Sequence, residues 1–122
     1  MANRNILSGE KISSQAFTEM QNFHSDVVAQ VANAVKNEKV VVVGMKQNPV
    51  VKKATDFLTA QNISFTYLEY GSYFSNWKQR LAIKLWSGWP TFPQIFVNGI
   101  LIGGFSNLSE SVKSGDLKSR MK

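Results

Sequence analysis

The segment from Trp89 to Phe105, WPTFPQIFVNGILIGGF, leaves this chain few options. Pro90 and Pro93 bracket the pair Thr91-Phe92, and Gln94-Ile95-Phe96-Val97 follows as a strand. Asn98-Gly99 is the dipeptide best suited to a tight hairpin turn, because both central residues must tolerate positive φ. Ile100-Leu101-Ile102 makes the return strand. Gly103-Gly104 ends it where the backbone must turn sharply or pass close to another element. The segment therefore predicts a β-hairpin entered through a proline loop and left through a glycine pair.

Upstream, Lys39-Val40-Val41-Val42-Val43 is a continuous β-branched run, the pattern of a strand buried on both faces. Gly44 to Asn48 is the loop after it, with Asn48 a candidate N-cap and Pro49 at the first helical position. That helix is expected to run to about Gln61 and to bury Val50 or Val51, Ala54, Phe57 and Leu58. Ile63 to Tyr70 alternates as a second strand. Gly71-Ser72 breaks it, and a helix is expected over Phe74 to Trp86 with Trp77, Leu81, and Ile83 or Leu85 inward. Ser106 or Ser109 should cap a last helix ending near Ser114, with Gly115 past its end and a basic tail beyond.

Before the first strand, Phe17, Met20, Val27, Val28, Val31 and Val35 recur at helical spacing from Ser14 to Asn37. Either one helix spans this stretch or Ser25-Asp26 caps a shorter one. Residues 1–14 read as a loose arm and 15–122 as one domain. The β-α-β pair followed by a hairpin and a helix gives one mixed four-stranded sheet with helices on both faces, preceded by an extra N-terminal helix.

The chain has no cysteine. That excludes a disulfide, a thiolate nucleophile and cysteine ligation of an iron–sulfur cluster. His24 is the only histidine, which with no cysteine cannot build an ordinary metal site. No apolar run approaches a membrane span, and no secretory signal is visible, so a cytoplasmic protein is expected. The formal charge of +6 is scattered, without the arginine-rich or aromatic-basic tracts of nucleic-acid modules. Anionic small molecules or acidic protein surfaces are the more natural partners.

Trp89-Pro90-Thr91-Phe92-Pro93-Gln94, then Asn98-Gly99 and Gly103-Gly104, resembles the C-terminal half of the glutaredoxins, within the thioredoxin-like fold. The monothiol glutaredoxins are the nearest form, and the likeness runs from about Val40 to Lys118. It implies that Pro93 is cis. In the family's dithiol members the loop before the first helix carries Cys-Pro-Tyr-Cys, and here the matching residues are Asn48-Pro49-Val50-Val51. Asn48 thus stands where the nucleophilic cysteine would be and Val51 where the resolving one would be. Met45-Lys46 resembles the Met-Lys that opens the monothiol loop, although the loop is several residues shorter here.

Thiol–disulfide exchange needs a thiolate to attack sulfur, and an amide does not do so. The resemblance therefore implies a member without reductase or cluster-carrier activity and with no iron–sulfur cluster. A binding groove would survive. The start of the helix at Pro49 offers backbone N–H groups and the positive end of a dipole. Thr91 and Phe92, before Pro93, match the residues that relatives use for the cysteinyl unit of glutathione. Lys46 and Arg80 match basic positions that grip its glycyl carboxylate. Gly104, Phe105 and Ser106 match the γ-glutamyl end, but Ser106 replaces an aspartate, which removes one charged contact. Three readings follow: a binding module for glutathione, an acidic peptide or a protein partner; an enzyme in which bound glutathione supplies the thiol; and a self-associating scaffold using an apolar rim at Val50, Val51 and Phe92.

Overall fold

The computed structural model describes residues 7–122, so the first six residues of the arm expected over 1–14 lie outside the described residues. Gly9–Lys11 forms one turn of 3₁₀ helix. Helix α1 (Ser14–Asn22) starts on Ser13, whose hydroxyl accepts from the Ala16 N–H at 3.2 Å. The helical stretch expected from Ser14 to Asn37 is broken: His24 takes left-handed backbone at φ 46°, and α2 (Ser25–Asn37) begins anew. The break separates two environments. Val31 and Val35 of α2 enter the core, whereas α1 buries none of its residues.

Strands β1 (Val40–Gly44), β2 (Thr66–Glu69), β3 (Gln94–Val97) and β4 (Ile100–Gly103) form one sheet in the order β2-β1-β3-β4. β1 pairs parallel with β2 and antiparallel with β3, and β3 pairs antiparallel with β4. This is the four-stranded mixed sheet that the sequence predicts. The run Val40 to Val43 is buried throughout because β1 is central and covered on both faces. The hairpin turns at Asn98 (φ 49°) and Gly99 (φ 81°), the geometry that made this dipeptide diagnostic. Its register slips between Ile95 and Phe96, so Ile102 is an extra residue in β4.

One face of the sheet packs α2 and α4 (Trp77–Ser87), with Val31, Val35 and Ile83 against Val41, Val43 and Phe96. The other packs α3 (Pro49–Ala60), α5 (Phe105–Ser114) and α6 (Asp116–Arg120), with Ala54, Leu58, Leu108 and Leu117 against Val40, Val42, Ile95 and Val97.

Several expectations need correction. β2 begins at Thr66, not Ile63, because Ile63 and Phe65 leave the ladder and pack on the core beneath α3, α5 and α6. α4 begins at Trp77, not Phe74. The Ser72 backbone N–H donates to the Ser75 hydroxyl and the Phe74 N–H to the Ser72 hydroxyl, a local turn that competes with helix. Within α4 the buried positions are Arg80, Ala82 and Ile83, whereas Trp77, Leu81 and Leu85 are exposed. The cap of α5 is Gly104 rather than Ser106 or Ser109, with Asn107 Oδ1 accepting from the Gly104 N–H at 3.1 Å. The basic tail is also a helix, α6, reached through Gly115 at φ 83° and pinned by the buried Leu117.

Candidate functional site

Strand register gathers four loops at one end of the sheet. Val43 pairs with Gln94, Gly44 with Glu69, and Ile95 with Gly103. The end of β1 therefore meets the start of β3 and the ends of β2 and β4. The Tyr70 N–H donates to Gly44 O at 2.9 Å and the Lys46 N–H to Gly71 O at 2.7 Å, which closes the β1–α3 loop onto the loop after β2. The Phe92–Pro93 peptide bond is cis. Gln94 is fully buried and donates from Nε2 to Trp89 O at 3.0 Å, tying the two ends of the proline loop together. Gly104 passes close by: a β-carbon there would lie 3.6 Å from Pro93 O and 3.7 Å from Trp89 Nε1.

Asn48 is the N-cap of α3, as its position before Pro49 predicts. Its Oδ1 accepts from the Val50 N–H at 2.9 Å and the Val51 N–H at 3.1 Å. The N–H groups expected to be free for an anion at this helix start are thus partly satisfied from within the chain.

Val51 and Phe92 are buried in the cluster that holds Met45 and Ile83, and only Val50, 44% exposed, reaches the surface. The apolar rim expected at Val50, Val51 and Phe92 is therefore absent as a continuous patch, because two of its three members are turned inward. Lys46, Thr91 and Ser106 are exposed, Pro93 is buried, and Phe105 is half-buried. Phe105 packs edge-on against Phe57 at 5.7 Å, with Lys53 Nζ 5.6 Å from its ring centre. Lys84 Nζ lies 5.5 Å from the Phe92 ring centre, a cation beside the proline loop that helical periodicity did not single out.

Arg80 has a different setting from the one its alignment suggested. It is only 7% exposed, and Nη1 donates to Tyr70 O at 2.9 Å and to Ser75 O. Its guanidinium holds the loop after β2 in place, and nothing in local sequence distinguishes such an arginine from a solvated one.

Beside the β1–α3 loop opens a cavity of about 690 Å³ bordered by Lys46, Asn48, Lys52, Tyr67 and Glu69. It extends toward β2 and away from the proline loop, since Thr91, Phe92 and Ser106 do not line it. The Tyr67 hydroxyl donates to Glu69 Oε1 at 3.1 Å. Burial, reinforced by the Glu69 charge and this hydrogen bond, pushes its pKa far above the ordinary tyrosine range. Among the described residues no three His, Asp or Glu side chains cluster as metal ligands, and no helix is long and apolar enough to cross a membrane.

A mixed four-stranded sheet between two helical layers, with a cis-proline loop at the end where the capped helix begins, defines a thioredoxin-like domain. The glutaredoxin family model matches residues 40–102. A "Glutaredoxin-like protein" of Dictyostelium discoideum is 46% identical over 120 residues, which span 98% of this chain and 96% of that protein. "Monothiol glutaredoxin-5, mitochondrial" of Schizosaccharomyces pombe is 35% identical over 95 residues, covering 73% of this chain and 64% of that protein. A wheat glutaredoxin crystal structure superposes with a TM-score of 0.67 at 25% identity, covering 78% of this chain and 90% of the other. The chain belongs to the glutaredoxin family, and it does so without a cysteine.

Proposed function

We propose that this protein is a thiol-free glutaredoxin-family binding module that uses the groove between the β1–α3 loop and the proline loop to hold glutathione or a similar γ-glutamyl or acidic peptide. The observation that carries this reading is the placement of Asn48: a capping amide sits at the helix start, at the same end of the sheet as the cis-proline loop and Gly103-Gly104. Exchange chemistry is closed to it, because no thiolate exists in the chain to attack a disulfide. For the same reason no cluster ligand is supplied by cysteine. What such a groove does is bind.

Lys46 supplies the exposed cation for a carboxylate. Thr91 and Phe92 supply backbone groups beside Pro93, Phe105 and Ser106 supply the N–H groups at the far end, and Gly104, whose own N–H is held by Asn107 Oδ1, lets the backbone pass close to Pro93. Asn48 contributes through its amide nitrogen. Arg80 serves from behind, by holding the loop that Lys46 closes upon. Ser106 cannot pair with an ammonium, so affinity falls by about one charge-assisted contact, about 1.5–3 kcal/mol, relative to a groove with aspartate there. A cytoplasmic setting is part of the same proposal, and cell fractionation tests it.

The deciding experiment is a glutathione titration followed through the backbone amides of residues 45–53 and 91–106. Both segments should shift together and saturate. S-methylglutathione should bind as well as glutathione, since binding asks nothing of the sulfur, and Ser106→Asp should tighten both. If neither segment responds to glutathione, its S-methyl form or an acidic γ-glutamyl peptide, the groove reading is lost. If glutathione binds but the S-methyl form does not, the thiol itself is used, and the glutathione-dependent enzyme takes its place.

A further inference from the structure

Each of the three chain segments proposed to form the groove carries a cation. Lys46 is exposed on the β1–α3 loop, Lys84 Nζ lies 5.5 Å from the ring centre of Phe92 in the proline loop, and Lys53 Nζ lies 5.6 Å from the ring centre of Phe105 at the start of α5. Among the described residues the ion pairs are Lys52 with Asp56 at 2.9 Å and Arg120 with Asp116 at 2.8 Å, so none of these three lysines has a carboxylate partner.

Lys53 matters most, because of what stands beside it. It reaches from α3 to Phe105, whose ring is fixed edge-on against Phe57 at 5.7 Å, and the face of an aromatic ring holds an ammonium at this distance. The next residue, Ser106, is exposed and neutral. No Asp or Glu occurs from Tyr70 to Ser109, and Glu110, the first acid on α5, lines a separate cleft with Ile102 and Arg120. A ligand's ammonium placed at this end would meet a second ammonium with no carboxylate to offset it, whereas a carboxylate would be attracted. Lys46 asks for a carboxylate at the other end. We infer, resting on the groove reading above, that the preferred ligand is an acidic peptide without a free amino group: a segment within a partner protein's chain, where the nitrogen is an uncharged amide, ahead of free glutathione. Lys53 sets that preference.

Two matched pairs of probes test it, each pair differing by one ammonium: glutathione against N-acetylglutathione, and the peptide Glu-Ala-Glu-amide against its acetylated form. Binding is followed through the backbone amides of residues 45–53 and 91–106. The acetylated member of each pair should bind about three- to fivefold tighter at low salt, with the gap closing as salt is added. Lys53→Gln should remove the gap and Lys53→Arg should keep it, with circular dichroism unchanged in both, as expected at an exposed position. Ser106→Asp should reverse the order within each pair. Free-amino probes that bind as tightly as the acetylated ones, or tighter, overturn the inference and leave the groove reading standing. A gap that survives Lys53→Gln overturns the role of Lys53. If no probe shifts either segment, the groove reading falls and takes this inference with it.

Discussion

The backbone of Gly44 runs directly against the side chain of Val51: a β-carbon on Gly44 would stand 2.6 Å from Val51 Cγ1 and 3.0 Å from Tyr67 Cε1. This close approach lets the first turn of α3 settle on the end of β1. Asn48 is held above it, at the loop that faces the proline segment. Gly44→Ala should therefore destabilise the fold by about 1–3 kcal/mol, the range for overpacking a filled site. Urea denaturation of Gly44→Ala, Val51→Ala and the double variant measures it, and the double should lose clearly less than the two singles added. Strict additivity would mean that the contact does not matter.

Asn48 ties the helix start to itself, and removing its side chain should cost about 1 kcal/mol as Asn48→Ala, whereas Asn48→Asp should keep the cap. Asn48→Cys tests the electrostatics at the same spot. The N–H groups of Val50 and Val51, released from the amide, would then face sulfur, and the introduced thiol should titrate below its ordinary value of about 8.5. Thiolate absorbance against pH reads this directly. An unshifted thiol would contradict the helix-start geometry.

Lys46 and Arg80 should part company under mutation. Lys46→Gln should leave stability unchanged, because Lys46 is exposed, and in the proposed groove it should weaken glutathione. Arg80→Gln removes a buried charged donor from two backbone carbonyls and should cost about 1.5–3 kcal/mol of stability. Thermal melts alongside the glutathione titration separate the two effects. Equal losses of stability from both substitutions would place Lys46 in the scaffold as well.

Alkaline stability follows from two tyrosines. Burial raises the hydroxyl pKa of Tyr67, with Glu69 adding to it, and burial raises that of Tyr70, with Asp26 adding to it. In the unfolded chain both ionise near 10.0. A group whose pKa is raised on folding contributes its stability in full below the unfolded value and loses it as pH climbs. Stability should be level in this respect below about pH 10 and fall above it. Tyr67→Phe should flatten that fall with little cost elsewhere. Tyr70→Phe should flatten it too, at the loss of the hydrogen bond from its hydroxyl to Gln30 Oε1 at 2.6 Å. Denaturant midpoints from neutral to alkaline pH supply the check.

Much of this protein is written in neighbouring residues. Asn98-Gly99 declares its turn because the dihedral demand falls on those two residues alone. The β-branched run of β1 declares a strand covered twice, and Asn48-Pro49 declares a helix start. The absence of cysteine closes thiol chemistry without any need for coordinates. These features depend on covalent geometry, side-chain shape and reactivity, which act over a few bonds.

Tertiary structure settled where side chains go. Only packing turned Val51 and Phe92 inward and left Val50 out, because that choice depends on how closely Gly44 and the proline loop approach α3. The inward edge of α4 was set by its packing against α2 and the sheet, which buried Arg80 and Ile83 and exposed Trp77, Leu81 and Leu85. Leu117 anchors the basic tail as a helix by joining the buried cluster that holds Leu108. Each of these outcomes is fixed by a neighbour distant in sequence, and a local pattern carries no information about which neighbour will arrive.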